Sequence, residues 1–182
     1  MNDDLSLRLA RVRIVAMDVD GTFTDGTLFY DSAGNVMKGF STRDGLGLEL
    51  LRRAGILRGF ITGRVDTATE ARARFLMLDF LLTGIGDKAN ALRALSAEHG
   101  VPLADILFIG DDLNDYTAFE IAGVPVAVEN ACDEVKAAAR YVTRAEGGRG
   151  AVREVAELIL RAKGIDPVAL WKTDKDTPMG KR

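Results

Sequence analysis

The sequence predicts an α/β protein, a three-layer α/β/α sandwich on a parallel Rossmann-like sheet, and three observations predict it. Short apolar runs of strand length, at residues 12–17, 56–61, 80–82, 106–109 and 124–128, alternate with helix-length segments. Strands separated by helices lie parallel, joined by right-handed crossovers that cover both sheet faces. Four of the runs end in polar turns that contain glycine, and open α/β sheets bind ligands beyond the carboxyl ends of their strands. Finally, 182 residues with 47% hydrophobic content suffice for one domain with a buried core.

Taken in order, residues 12–17 form a buried strand that breaks at Asp18-Val19-Asp20-Gly21-Thr22. Residues two apart on an extended chain project to the same side, so Asp18 and Asp20 face one pocket, and Gly21 allows a tight turn. Residues 27–41 hold two short β-prone runs around the turn formers of 31–35. They read as a β-hairpin, too short and exposed for the main sheet, that projects near the first strand. From Asp44 the period changes: Leu46, Leu48, Leu50 and Leu51 lead to Arg52, Arg53 and a stopping Gly55, a helix with cationic C-terminal residues. Strand 56–61 ends at Thr62-Gly63-Arg64, and helix 66–76 follows with Asp66 or Thr67 as its cap. Then come strand 80–82 ending at Thr83-Gly84, helix 87–99, strand 106–109 ending at Gly110-Asp111-Asp112, helix 113–121, strand 124–128, helix 133–140, extended 141–143 and helix 150–163. Residues 1–164 therefore read as one domain and 165–182 as a C-terminal tail. From Trp171 onward the tail is charged, carries Pro178 and Gly180, and lacks periodicity; it reads as mobile in isolation, with Trp171 anchoring it on a surface.

The bulk properties narrow the partners. A formal charge of -3, from 24 basic and 27 acidic residues, offers no long-range attraction for nucleic acid or anionic lipid, so a small molecule is the expected partner. No apolar stretch approaches membrane-spanning length, and the first residues lack the basic and apolar regions of a signal peptide, so the expected location is cytoplasmic. Cys132 is the only cysteine and belongs to no zinc or redox pattern; it reads as structural. His99, the only histidine, reads as part of a helix C-terminus.

The strand ends carry the chemistry. Asp18 and Asp20, Thr62-Gly63-Arg64, and Gly110-Asp111-Asp112 with Asp115 nearby are joined by Lys88 at the start of a helix. Carboxylates that hold a hard divalent cation, a hydroxyl, turn amides and a lysine together meet the needs of phosphoryl transfer. One aspartate can attack phosphorus while a second protonates the leaving oxygen and later activates water. Asp115, four residues after Asp111, fits equally well as a stabiliser of a helix N-terminus.

In this order the residues resemble the four motifs of the haloacid-dehalogenase superfamily of phosphatases. The resemblance implies Asp18 as nucleophile and Asp20 as acid/base, with Asp20 also giving a backbone carbonyl to Mg2+. It implies Thr62, with the Gly63 amide, and Lys88 as phosphate ligands, Asp111 as metal ligand, and Asp112 and Asp115 in support. Members often insert a cap domain between motifs, but the intervals from Asp20 to Thr62 and from Thr62 to Lys88 have no room for one. Asp25-Gly26, the run from Phe40 to Gly47, Ile61-Thr62-Gly63-Arg64, Asp111-Asp112 and the run from Gly147 to Glu154 are similar to the capless 3-deoxy-D-manno-octulosonate 8-phosphate phosphatase family. That likeness implies a Mg2+-dependent homotetramer serving lipopolysaccharide synthesis, with hairpins packed together, tails reaching neighbouring sites, and Arg64 and Arg43 facing an anionic substrate. For Arg43 an exposed charge at a helix start is an equal reading. Thr22, Phe23 and Thr83 depart from the family pattern, which leaves a sialic-type nonulosonate 9-phosphate as the alternative substrate. A non-enzymatic phospho-receiver would place both acid groups ahead of its threonine and lysine, and an inert oligomeric scaffold would not need the whole acid and lysine set.

Overall fold

The computed structural model describes residues 3–173. Its centre is β1 (Ile14–Met17), hydrogen-bonded in parallel between β4 (Leu57–Ile61) and β6 (Ile106–Gly110), with Ile14 opposite both Leu57 and Ile106. β5 (Phe80–Leu82) extends the sheet beyond β4, and β7 (Val124–Ala127) and β8 (Tyr141–Val142) extend it beyond β6. The order β5-β4-β1-β6-β7-β8 reverses at β1, so a crevice opens at the carboxyl end of that strand. All four residues of β1 are buried because helices cover both faces.

α1 (Asp3–Arg11), α2 (Thr42–Arg53) and α7 (Ala151–Ala162) pack together as one layer. α4 (Lys88–His99), α5 (Tyr116–Ile121) and α6 (Asp133–Ala138) form another run of packed neighbours. α3 (Thr67–Phe75) joins β4 to β5 and is capped by Asp66, whose side chain accepts from the Thr69 amide. β2 (Phe29–Tyr30) and β3 (Val36–Met37) form a separate antiparallel hairpin. Its turn is organised by Asp31, whose carboxylate accepts from the Ala33 and Asn35 amides.

Three local differences from the sequence expectation have physical reasons. α1 presents only Leu5 and Leu9 to the core, a stripe too thin to register as a period, and gains its place by packing on α7. Residues expected as one helix over 113–121 divide into a 3-10 turn, Leu113–Asp115, and α5, because Asp115 turns inward to bond backbone amides. In the tail, α8 (Pro167–Thr173) docks on α2. Trp171 is its anchor: the Arg53 guanidinium lies 4.1 Å from the ring centroid, and Arg53 donates to the Trp171 carbonyl at 3.0 Å. The remainder of the tail, 174–182, lies outside the described residues.

A glycine loop locks the turn after β1. The Gly148 amide donates to the Thr22 carbonyl, and Gly147 is so close that a Cβ there would lie 1.7 Å from the Gly21 carbonyl oxygen. Gly147→Ala is expected to destabilise the protein by about 3 kcal/mol or more, since backbone faces backbone and neither side can yield cheaply. A urea midpoint equal to that of the wild type would show that the loop packs otherwise.

Candidate active site

Asp18 follows β1, and its amide donates to the Ile109 carbonyl at 3.0 Å, which holds it over the β1–β6 boundary. Lys88, opening α4, reaches beneath it: Nζ lies 2.8 Å from Asp18 Oδ1 and 2.5 Å from Asp115 Oδ1. α4 starts there because Asp87 caps it, accepting from the Ala89 and Asn90 amides. Asp111 follows β6, and the Thr22 hydroxyl donates to its Oδ1 at 2.8 Å. Asp115 uses its other oxygen to accept from the Asp111 and Asp112 amides, while Asp112 caps the 3-10 turn and points its carboxylate at the Leu113 amide. Asp115 thus both closes the turn and partners Lys88.

Asp18, Asp111 and Asp115 each offer a carboxylate oxygen within 4.8 Å of the others. Burial raises the Asp18 pKa to about 6, reinforced by repulsion from Asp115 and moderated by Lys88. Burial likewise raises Asp111 to about 7; its bond from Thr22 opposes this, and Asp18, Asp115 and Asp112 add to it. Burial alone would lower the Lys88 pKa, but Asp18 and Asp115 outweigh it, and the net shift is upward. Lys88 therefore stays charged. Three carboxylates against one ammonium leave a formal charge of -2 in a buried space. Such a hard-oxygen set fits Mg2+, which takes few protein oxygens and keeps waters for a phosphate to replace.

Above the acids lies a cleft of about 510 Å³ lined by Asp18, Asp20, Thr62, Gly63, Arg64, Val65 and Asn114. The Thr62 hydroxyl oxygen accepts from the Arg64 amide at 3.2 Å, which leaves its own proton for a ligand. Arg64 Nε lies 3.3 Å from Asp20 Oδ2. The structure thus brings together Asp18, Asp20, Thr62, Gly63, Arg64, Lys88, Asp111 and Asp115. Arg43 does not join them: it is exposed at the start of α2, beside Gly150. His99 closes α4 outside the cleft, and the Cys132 amide donates to the Asp111 carbonyl.

Sequence reasoning missed three participants. Thr22 was legible only as a departure from a motif, yet it orients Asp111. Asn114 gave no signal and lines the cleft. Lys38, read only as part of the hairpin, places its ammonium against Asp20 and Asp66 with no side-chain exposure; topology alone reveals it.

A mainly parallel sheet with this acid, lysine and threonine cluster at its switch point defines a hydrolase of the haloacid dehalogenase-like class, and residues 60–154 match that family. A 3-deoxy-D-manno-octulosonate 8-phosphate phosphatase of Yersinia pestis is 40% identical over 161 residues, 88% of this chain and 86% of that protein. The crystal structure of the Moraxella catarrhalis phosphatase of the same name, in complex with magnesium, phosphate and KDO, superposes with a TM-score of 0.90 at 38% identity, covering 95% of this chain and 99% of that one. A hypothetical protein from Xanthomonas campestris superposes at 0.91 with 42% identity, covering 96% and 95%. The chain belongs to the 3-deoxy-D-manno-octulosonate 8-phosphate phosphatase family of haloacid dehalogenase-like hydrolases.

The acid cluster sets a pH-dependent response to metal. A carboxyl whose folded pKa lies above its unfolded value binds protons more tightly when folded. Without a cation, Asp18 and Asp111 therefore penalise the fold increasingly as pH rises from about 4 through about 6 and 7. A divalent cation relieves that penalty above this window and competes with protons inside it. Saturating Mg2+ at pH 8 is expected to raise the melting temperature by about 5–10 °C. The gain should shrink below pH 6 and vanish in Asp111→Asn. A gain independent of pH, read by scanning fluorimetry, would move the metal elsewhere.

Proposed function

We propose that this chain is a Mg2+-dependent phosphatase that hydrolyses 3-deoxy-D-manno-octulosonate 8-phosphate to the free keto-sugar acid and inorganic phosphate. The observation that carries this reading is Asp18 at the cleft floor, held by Lys88 and flanked by Asp111 and Asp115. The printed activity of the relatives supplies the substrate.

In this reading a carboxylate oxygen of Asp18 attacks phosphorus, the ester P–O bond breaks, and Asp20 gives its proton to the departing sugar oxygen. Asp20 then takes a proton from the water that cleaves the aspartyl-phosphate, which releases phosphate and restores Asp18. Lys88, the Thr62 hydroxyl and the Gly63 amide offset charge on the phosphoryl oxygens. Mg2+, held by Asp18, Asp111 and the Asp20 carbonyl with Asp112 and Asp115 in support, supplies further charge neutralisation. Arg64 faces the substrate carboxylate from the cleft wall; Arg43, outside the cleft of a single chain, is left to a substrate that extends toward α2.

The hairpin supports a homotetramer: Phe29, Tyr30 and Met37 are each more than half exposed on one small element, an apolar patch that asks for a partner. No helix among the described residues is long and apolar enough to cross a membrane, which agrees with work in the cytoplasm on a small metabolite.

Phosphate release from a panel of octulosonate 8-phosphate, nonulosonate 9-phosphate and hexose phosphates tests the function. Wild type with Mg2+ should prefer the 8-phosphate, and Asp18→Asn should lose more than about 10³-fold in turnover. Equal rates in that variant would remove the nucleophile, and no preference for 2-keto acids would remove the substrate. Light scattering should give a tetramer; a fully active monomer would refute a role for the hairpin in assembling the site.

A further inference from the structure

The hairpin touches a cleft residue, Asp20, through one buried side chain. Lys38, directly after β3, carries a side chain with no exposure, and its Nζ lies 2.7 Å from Asp20 Oδ1 and 3.0 Å from Oδ2. The same Nζ lies 2.7 Å from Asp66 Oδ2 and 3.1 Å from Thr69 Oγ1, while Asp66 Oδ1 caps α3 through the Thr69 amide. One buried ammonium thus ties three elements together: the hairpin, the start of α3 and the turn after β1. A buried ammonium needs a counter-charge, and Asp66 alone provides it. The contact with both oxygens of Asp20 goes beyond that need. The other cation at Asp20 is Arg64, whose side chain is 44% exposed and whose Nε sits 3.3 Å away; a long exposed side chain cannot by itself hold a carboxylate to a fixed direction.

We propose that Lys38 is a positioning residue for proton transfer by Asp20, and that through it the hairpin is a working part of the site. The proposal rests on the assignment of Asp20 as acid/base made above. Lys38 neither gives nor takes a proton: it fixes the carboxyl group from which the proton passes to the departing oxygen and to which the proton of water passes later. A sugar alkoxide leaves only with a proton, whereas p-nitrophenolate leaves without one. kcat/KM covers the steps through release of the first product, so comparing the two esters isolates the acid step from binding of the phosphoryl group.

The test measures kcat/KM for the best alkyl ester of the panel and for p-nitrophenyl phosphate in wild type, Lys38→Met, Lys38→Arg, Asp20→Asn and Lys38→Met/Asp20→Asn. General acid catalysis is worth about 10²–10⁴-fold. Lys38→Met is therefore expected to lose at least about 10-fold more on the alkyl ester than on the aryl ester, with a smaller differential in Lys38→Arg. In the Asp20→Asn background Lys38→Met should add no further differential. Equal losses on both esters would reduce Lys38 to a structural tie, as would a differential that persists without the Asp20 carboxyl; no loss at all would remove it from the site. If Lys38→Met does not fold, Lys38→Arg, which keeps the charge and displaces the nitrogen, carries the same comparison. The alkyl ester is whichever the wild type turns over, so a wrong sugar in the proposed function leaves this result intact. Failure of Asp18→Asn to lose activity would refute that function and not this contact.

Discussion

The buried ion cluster of Lys88 with Asp18 and Asp115 is the constraint on which the rest of the structure depends. Each of these groups costs several kcal/mol to take out of water unless it is paired and fully hydrogen-bonded, and the backbone around them is arranged to meet that condition. Asp115 spends one oxygen on Lys88 and the other on the Asp111 and Asp112 amides. Gly110 makes this possible, since a Cβ there would lie 2.5 Å from Asp115 Oδ2. Across the crevice Gly21, at φ +97, takes a conformation that side chains rarely adopt, and a Cβ would stand 2.1 Å from Asp111 Oδ2. Two glycines thus let two strand ends close on neighbouring acids, Asp115 and Asp111.

The support extends far along the chain. Asp44, buried at the start of α2, accepts from the Gly150 and Arg153 amides, which satisfies orphan donors of α7. That fixes the loop of Gly147 and Gly148 against the turn after β1, where Thr22 holds Asp111. α7 and the first acid motif are therefore linked through this loop. Removing a contact in the loop reaches the Asp111 carboxylate through Thr22, by two bonded steps.

How much of this the sequence showed follows from what kind of information each feature needs. β1, β4 and β6 were legible because strands buried on both faces read as unbroken apolar runs ended by polar turns. Asp18, Lys88 and Asp111 were legible because their chemistry recurs at strand ends and helix starts, positions that local patterns mark. Arg58 was not: it lies inside β4, buried, donating to the Leu48, Leu76 and Met77 carbonyls and paired with Asp79, and nothing local distinguishes it from a surface arginine. Lys38 was hidden for the same reason, since its partners Asp20 and Asp66 come from two other elements. α8 was hidden because its helix is held by Arg53 on Trp171, a tertiary contact that overrides a weak local pattern.

Without a cap domain, selectivity falls to the few side chains that rim the cleft, and here Asp20 stands between two cations of different kinds. Lys38 is buried and held by Asp66 and Thr69 as well, so it does not follow a ligand. Arg64 is half exposed and bonds Asp20 by a single longer contact, so it exchanges partners cheaply. Under the proposed function, a substrate carboxylate that enters the cleft would compete with Asp20 for Arg64. That exchange would remove one positive neighbour from Asp20 while Lys38 keeps its direction, which would separate recognition of the acid from alignment of the proposed proton carrier. In that division the exposed Arg64 would read an anionic sugar, while the buried Lys38 keeps the Asp20 carboxyl aligned.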